Sequence, residues 1–179
     1  MSSRLRSWGM AVAVAAAVAA VFWLSKPPPD PIRPGQLAPA FELPRLDGGA
    51  KLSLDELRGR VVLLNFWATW CKPCEAEMPA MQRLANELAG TDFELIAVSV
   101  DASPDEVRAF RERLGLRFPI LLDPDKRVAS AYQSYRYPES YLIDRDGRIL
   151  SRYIGPRDWD SAAYRDRIRA LAVAPGGAN

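Results

Sequence analysis

A continuous apolar run, GRVVLLNFWA, occupies Gly59–Ala68 and constrains the fold more than any other feature of the sequence. It is rich in β-branched and aromatic residues and does not alternate with polar ones, as expected of a strand buried on both faces. In the next segment, Lys72–Gly90, apolar residues recur at spacings of three and four, and Gly90 ends the pattern. The sequence therefore predicts a buried β-strand that leads directly into a helix.

The rest of the chain continues this alternation of strands and helices. Ser103–Gly115 is the clearest helix, with Ser103 as N-cap and Pro104 at the first helical position. The other predicted elements are a buried strand (Phe93–Asp101), a short strand (Phe118–Asp123), one or two helical turns (Asp125–Gln133), a hairpin (Glu139–Gly155) and a final amphipathic helix (Asp158–Val173). This order predicts an α/β fold in which helices sandwich a central mixed β-sheet.

The N-terminus carries an uncharged stretch, Trp8–Leu24. As a helix this stretch would be about 25 Å long, which is near the lower limit for crossing a bilayer. It exceeds the apolar core of most cleaved signal peptides, and it ends in bulky residues, Phe22–Leu24, so a retained signal anchor is favoured over a cleaved signal. Arg4 and Arg6 precede it closely, which favours an N-terminus inside and a body outside.

These features divide the chain into three predicted parts. Residues 1–25 are a signal anchor or transmembrane helix, residues 26–38 a proline-rich linker, and residues 39–175 the folded domain. For a bacterial source, the predicted location is the inner (cytoplasmic) membrane, crossed once, with the C-terminal domain in the periplasm.

The balance of charge along the chain excludes nucleic acids as partners. The chain has 24 basic and 22 acidic residues and a net charge of +2, with no block of like charge. A body so balanced lacks the electrostatic surface that nucleic-acid binding requires.

The chain has two cysteines, Cys71 and Cys74, at the predicted junction between strand and helix. A structural disulfide over so small a loop would stabilise the fold by only about 2 kcal/mol. A closed zinc site needs four ligands, usually Cys and His, and the chain has no histidine. Only mixed carboxylate ligation or a site bridging two copies would remain for a metal, so no metal is expected and a redox pair is favoured.

The redox interpretation has a physical basis. The first turn of a helix presents unpaired N–H groups and the positive end of the helix dipole, which stabilise a thiolate at Cys71. Lys72 adds positive charge, and together with Pro73 it influences the redox potential of the pair. Cys74 lies one turn further on, where it can attack a mixed disulfide formed by Cys71. Trp70 is expected to flank the nucleophile and to contact substrates.

The stretch LNFWATWCKPCEAEMP, preceded by PAFELPRLDGG and followed by YPESYLIDRDGRIL, resembles the TlpA/ResA-like branch of the thioredoxin superfamily, which is related to CcmG/DsbE. The resemblance implies a thioredoxin fold. It also implies a membrane-tethered thiol–disulfide oxidoreductase that reduces protein disulfides, among them those of apocytochrome c or of metal-centre assembly proteins.

The same resemblance assigns further site residues and partners. It implies a cis peptide bond between Tyr137 and Pro138 beside the cysteines, where both residues would contact substrate, and an acidic residue, Glu77, that handles protons. The expected partners are protein thiols and disulfides and a membrane thiol-electron donor, with no cofactor beyond the Cys71–Cys74 disulfide.

Two alternatives compete with this function. The segment APAFELPRLDG is shared with peroxiredoxins, which would make the chain a thiol peroxidase. Those enzymes generally place a threonine three residues before the reactive cysteine, but Ala68 stands there and Thr69 is one position off. The second alternative is a non-catalytic binding domain of thioredoxin fold, and the intact cysteine pair disfavours it.

Overall fold

The computed structural model describes Trp8, Met10, residues 13–20, Trp23 and residues 31–173. The chain divides into two compact units, Met1–Pro31 and Ile32–Asn179. In the first unit Trp8, Met10, residues 13–20 and Trp23 are helical, and Pro31 is not. Parts of the predicted transmembrane helix, and residues 26–30 of the predicted linker, lie outside the described residues.

No helix among the described residues is long and apolar enough to cross a membrane. The transmembrane helix is therefore not confirmed. The prediction of a single-pass location in the inner membrane, with the C-terminal domain in the periplasm, is contradicted by this finding.

The second unit is built on a five-stranded mixed sheet. Its strands are β3 (Val61–Trp67), β4 (Phe93–Ser99), β5 (Ile120–Leu122), β6 (Glu139–Ile143) and β7 (Ile149–Ile154). Across the sheet they lie in the order β5-β4-β3-β6-β7. Strands β3, β4 and β5 run parallel, whereas β6 is antiparallel to both β3 and β7. The predicted α/β fold with a mixed sheet is confirmed.

Three small elements precede this sheet and were not predicted. β1 (Glu42–Leu43) and β2 (Leu52–Ser53) form a two-stranded antiparallel sheet, and a 3₁₀ turn follows at Asp55–Leu57. Strands of two residues carry too little periodicity to be recognised in a sequence.

Four helices complete the unit: α1 (Lys72–Glu87), α2 (Pro104–Leu114), α3 (Arg127–Ala131) and α4 (Ala162–Val173). Ser103 caps α2 as predicted, by accepting a hydrogen bond from the Glu106 amide, and Gly115 ends it in a left-handed conformation (φ 63°) that glycine adopts without strain. Helix α4 begins later than predicted, because residues 158–161 form a turn closed by a hydrogen bond from the Ser161 amide to the Asp158 carbonyl.

Strand β3 lies at the centre of the core. All seven of its residues are buried, as expected of a strand with a neighbour on each side and packing on both faces. Below its C-terminal end, Phe66 packs against Tyr132 and Tyr141, with ring centroids 5.3 and 6.0 Å apart. This aromatic group gives the loop that follows β3 a rigid support.

Candidate active site

The two cysteines lie where β3 gives way to α1. Cys71 is the N-cap of the helix, in an extended conformation, and its Sγ accepts a hydrogen bond from the Cys74 amide at 3.2 Å. Lys72 and Pro73 occupy the first two helical positions. The predicted placement at the start of a helix is therefore correct, and the sulfur lies at the end of the helix where a negative charge is stabilised.

The cysteines form a disulfide with an S–S distance of 2.09 Å and a Cα–Cα distance of 5.2 Å. Cys71 retains 5% of its surface, whereas Cys74 is fully buried. An incoming thiol or disulfide therefore reaches Cys71 before Cys74.

Lys72 extends away from the protein, with 89% of its side chain exposed, and it pairs with Glu75 at 3.3 Å. Glu75 also pairs with Arg113 at 2.6 Å. Hydrogen bonds from Arg113 and then from Lys72 hold the pKa of the Glu75 carboxyl below its usual range. Part of the positive charge of Lys72 is thus directed to Glu75, which weakens its field at Cys71.

Trp70 and Tyr137 meet beside the disulfide. Trp70 is 64% exposed, and its ring lies edge-on to that of the half-buried Tyr137, with centroids 6.0 Å apart. The Tyr137–Pro138 peptide bond is cis, as the resemblance implies, and Pro138 is buried. Because Glu139 pairs with Phe66 in the sheet, these residues lie at the C-terminal end of β3 and next to the cysteines.

Glu77 is a buried carboxylate, with only 3% of its surface exposed. Asn65 Nδ2 donates to its Oε1 at 2.9 Å, and the Arg157 amide and Trp159 Nε1 each donate to its Oε2 at 3.0 Å. Burial raises the pKa of the Glu77 carboxyl to about 7, although these hydrogen bonds and the charge of Arg157 oppose the rise. A carboxyl with this pKa exchanges its proton near neutral pH.

Asn65 extends this network into the neighbouring strand. Its Nδ2 donates to Ser140 Oγ as well as to Glu77, both at 2.9 Å. One amide group therefore joins β3, β6 and α1, the helix that begins at the cysteines.

Sequence reasoning missed Arg157 and Trp159, which reach Glu77 from the segment between β7 and α4. The Trp159 ring packs edge-on to Tyr153 and lies 5.1 Å from the Tyr164 ring. A tryptophan that is buried needs an acceptor for its N–H, and a buried carboxylate nearby supplies one. The sequence offered only the flanking motif Asp158-Trp159-Asp160 as a signal, and this motif does not identify the acceptor.

An open cleft of about 360 Å³ lies beside Glu77. It is lined by α1 and by the segment after β7, through Ala76, Glu77, Ala80, Arg83, Pro156, Arg157 and Asp158. Glu77 lines this cleft and can therefore exchange a proton with solvent there. A second cavity of about 400 Å³ lies near the starts of β3 and β4, around Arg60 and Phe93, and has no cysteine in its lining.

Within residues 31–173 and the other described positions, no three His, Cys, Asp or Glu side chains are grouped as they would be to hold a metal ion. The described site consists of the Cys71–Cys74 disulfide and the buried carboxyl of Glu77.

The chain is similar to known proteins in sequence and in fold. The model of the AhpC/TSA family matches residues 34–152. The thioredoxin-like protein YneN of Bacillus subtilis is 45% identical over 127 residues, which cover 69% of this chain and 73% of that protein. The thiol-disulfide oxidoreductase ResA of Bacillus thuringiensis is 40% identical over 121 residues, covering 68% and 69% of the two chains.

The same likeness appears among solved structures. A Chlorobium tepidum protein assigned as thiol:disulfide interchange protein DsbE superposes with a TM-score of 0.73 and 32% identity, over 79% of this chain and 99% of that chain. The implied thioredoxin-like fold is thereby confirmed.

Proposed function

The chain belongs to the AhpC/TSA family of thioredoxin-like proteins, and from this premise we propose that its Cys71–Cys74 pair reduces disulfide bonds in other proteins. It is a thiol–disulfide oxidoreductase of the ResA/DsbE type. We further propose the direction of electron transfer, from the pair to its substrates, together with the substrates and the roles of the individual residues.

The observation that carries this proposal is the hydrogen bond from the Cys74 amide to Cys71 Sγ. The same N–H would stabilise a thiolate on Cys71 once the disulfide is reduced, because it lies at the positive end of α1. Cys71 is also the cysteine with exposed surface, and it is therefore the nucleophile.

In the first step, the Cys71 thiolate attacks one sulfur of the substrate disulfide. A bond forms between Cys71 Sγ and that sulfur, and the second substrate sulfur leaves as a thiolate and takes up a proton. In the second step, Cys74 loses its proton and attacks Cys71 Sγ, which restores the Cys71–Cys74 disulfide and releases the second substrate thiolate. The substrate gains two electrons from the pair, and both of its released thiolates take up a proton. One of these two protons comes from Cys74 and the other from solvent, which received it when Cys71 ionised.

Glu77 accepts the proton from Cys74 in the second step. The two residues are three positions apart on α1 and therefore lie on the same face, and both are buried. A carboxyl with a pKa of about 7 is partly ionised at neutral pH and can both take and release a proton there.

Trp70, Tyr137 and Pro138 form the contact surface for the substrate. The exposed indole and the half-buried phenol offer an apolar surface on which an extended peptide that carries a cysteine can lie. By resemblance to the ResA/DsbE type, we propose substrates such as apocytochrome c or metal-centre assembly proteins. No cofactor beyond the disulfide is required, and a second dithiol protein returns the electrons.

The substrate class is tested with the variant Cys74→Ser, which cannot complete the second step. Mixed disulfides between Cys71 and substrate proteins should accumulate and dissolve on addition of a reductant, and Cys71→Ser/Cys74→Ser should trap none. In parallel, the wild-type dithiol should reduce insulin. The absence of adducts together with the absence of insulin reduction would refute the proposed function. A redox titration of the pair then decides the direction, because a potential above that of its substrates would make the protein an oxidant.

A further inference from the structure

Thr69, in the turn between β3 and α1, is held by the carboxylate of Asp101. Its amide donates to Asp101 Oδ2 at 2.9 Å, and its hydroxyl donates to Asp101 Oδ1 at 2.8 Å. Each carboxylate oxygen thus binds one donor of the same residue, and Thr69 has little freedom to rotate or to shift.

Asp101 is itself anchored to both central parallel strands. It is the second residue after the end of β4 and is 4% exposed. Ser99 Oγ donates to its Oδ2 at 2.8 Å, and its own amide donates to Ser99 Oγ at 3.1 Å. The Val100 amide donates to the Trp67 carbonyl at 3.0 Å, which joins the end of β4 to the end of β3.

The turn that Asp101 holds leads directly to the nucleophile. The Cys71 amide donates to the Ala68 carbonyl at 3.2 Å and closes a turn whose two central residues are Thr69 and Trp70. A movement of Thr69 therefore moves Trp70 and Cys71 relative to the first turn of α1.

We propose that Asp101 is a positioning residue for the dithiol. The two hydrogen bonds that it accepts from Thr69 hold Cys71 Sγ where it accepts the hydrogen bond of the Cys74 amide. The inference rests on the proposed function, in which a thiolate on Cys71 is the attacking group. This role also gives a reason for a threonine at position 69, one position away from the threonine expected of a thiol peroxidase. Here Thr69 donates two hydrogen bonds to Asp101.

A carboxylate suits this position better than a neutral side chain. Asp101 accepts three hydrogen bonds, two from Thr69 and one from Ser99. An asparagine would place an N–H group against one of these donors, and a buried donor without an acceptor is costly.

The test compares two single hydrogen-bond deletions at the same carboxylate. Thr69→Val removes the hydroxyl that acts on the turn, Thr69→Ser keeps it, and Ser99→Ala removes a bond of similar length that does not act on the turn. All three substitutions are made in the full chain that also carries Cys74→Ser, so that Cys71 is its single remaining cysteine. The rate of its alkylation by iodoacetamide is measured against pH, and the midpoint of thermal unfolding is measured alongside.

For Thr69→Val, the midpoint of the alkylation profile should move up by about 0.5 to 1 pH unit, because a thiolate displaced from the amide is less stabilised. At pH values below the midpoint of the parent chain this corresponds to an alkylation rate roughly three- to tenfold lower. Thr69→Ser should keep the profile of the parent chain. Ser99→Ala should lower the unfolding temperature without moving the alkylation midpoint.

An alkylation midpoint that does not move in Thr69→Val would overturn the inference and leave Asp101 a structural residue. An equal movement in Ser99→Ala would overturn it as well, since the effect would not then depend on the turn. Reduction of insulin by the wild-type dithiol, measured in parallel on the full chain with both cysteines, separates this failure from that of the proposed function.

Discussion

Asn65, on the central strand β3, donates a hydrogen bond to Glu77 Oε1 from a nitrogen 2.9 Å away. The hydrogen bond joins the central strand to the helix that carries both cysteines. Because a donor stabilises the charged form of a carboxyl, this contact lowers the pKa of Glu77 against the effect of its burial. The protonation state of Glu77 is therefore determined in part by a residue on a different element.

Replacement of Asn65 by leucine should raise the pKa of Glu77, because one donor to the carboxylate is lost while the burial remains. The acid limb of the pH–rate profile for insulin reduction should move up by about one unit. Ser140→Ala is the matched control, since it removes the other partner of the same Asn65 nitrogen without touching Glu77. An unchanged acid limb in Asn65→Leu would mean that Glu77 does not govern the rate.

The stability of the oxidised protein should fall as the pH rises from about 4.5 to about 7. In this interval the unfolded chain releases the Glu77 proton, whose ordinary pKa is 4.5, but the folded chain keeps it up to about 7. Fewer protons are then bound in the unfolded state, so the free energy of unfolding decreases, by up to about 3 kcal/mol, and levels off above pH 7.

Urea unfolding at several pH values measures this decrease. Glu77→Gln should abolish it, because no proton is then exchanged at this position. Glu75→Gln should retain it, since Glu75 lies outside the core with a lowered pKa. If the free energy of unfolding of Glu77→Gln falls with pH as it does in the wild type, another group causes the decrease.

Trp159→Phe should destabilise the protein more at pH 8 than at pH 5. The substitution keeps an aromatic ring beside Tyr153 and Tyr164 but removes the N–H that donates to Glu77. That hydrogen bond is charge-assisted only when Glu77 is ionised, and its loss then costs about 2 kcal/mol. Denaturant unfolding at the two pH values gives the comparison. An equal loss at both values would show that only packing has changed.

Trp70→Ala should lower kcat/KM for insulin by about tenfold, because an exposed aromatic contact with the substrate is removed. The rate with a small disulfide such as oxidised glutathione should change little, since the cysteines remain in place. Tyr135→Ala serves as the control: Tyr135 is also exposed, at 68%, and lies two residues before Tyr137. If Trp70→Ala lowers the reduction rates of insulin and of oxidised glutathione equally, the indole supports the loop instead of binding protein substrates.

The order of the main strands and helices was predictable because each is encoded locally. The run Val61–Trp67 is apolar throughout and is buried throughout, and α1 begins directly after the first cysteine. Chain termini were less predictable. The apolar N-terminal stretch suggested a membrane span, but the described residues contain no helix that could cross a membrane.

The sequence by itself determined the chemistry of the pair, since two cysteines at a strand–helix junction, without histidine, leave a dithiol as the simplest reading. Only the tertiary structure decided which distant groups act on it. Asn65, Trp159 and Asp101 reach the site from other elements. The resemblance names Glu77, but its burial and its hydrogen-bond donors are evident only in the folded chain. The physical reason is that burial and hydrogen bonding, which set a pKa and hold a loop, depend on neighbours in space and not on neighbours in the chain.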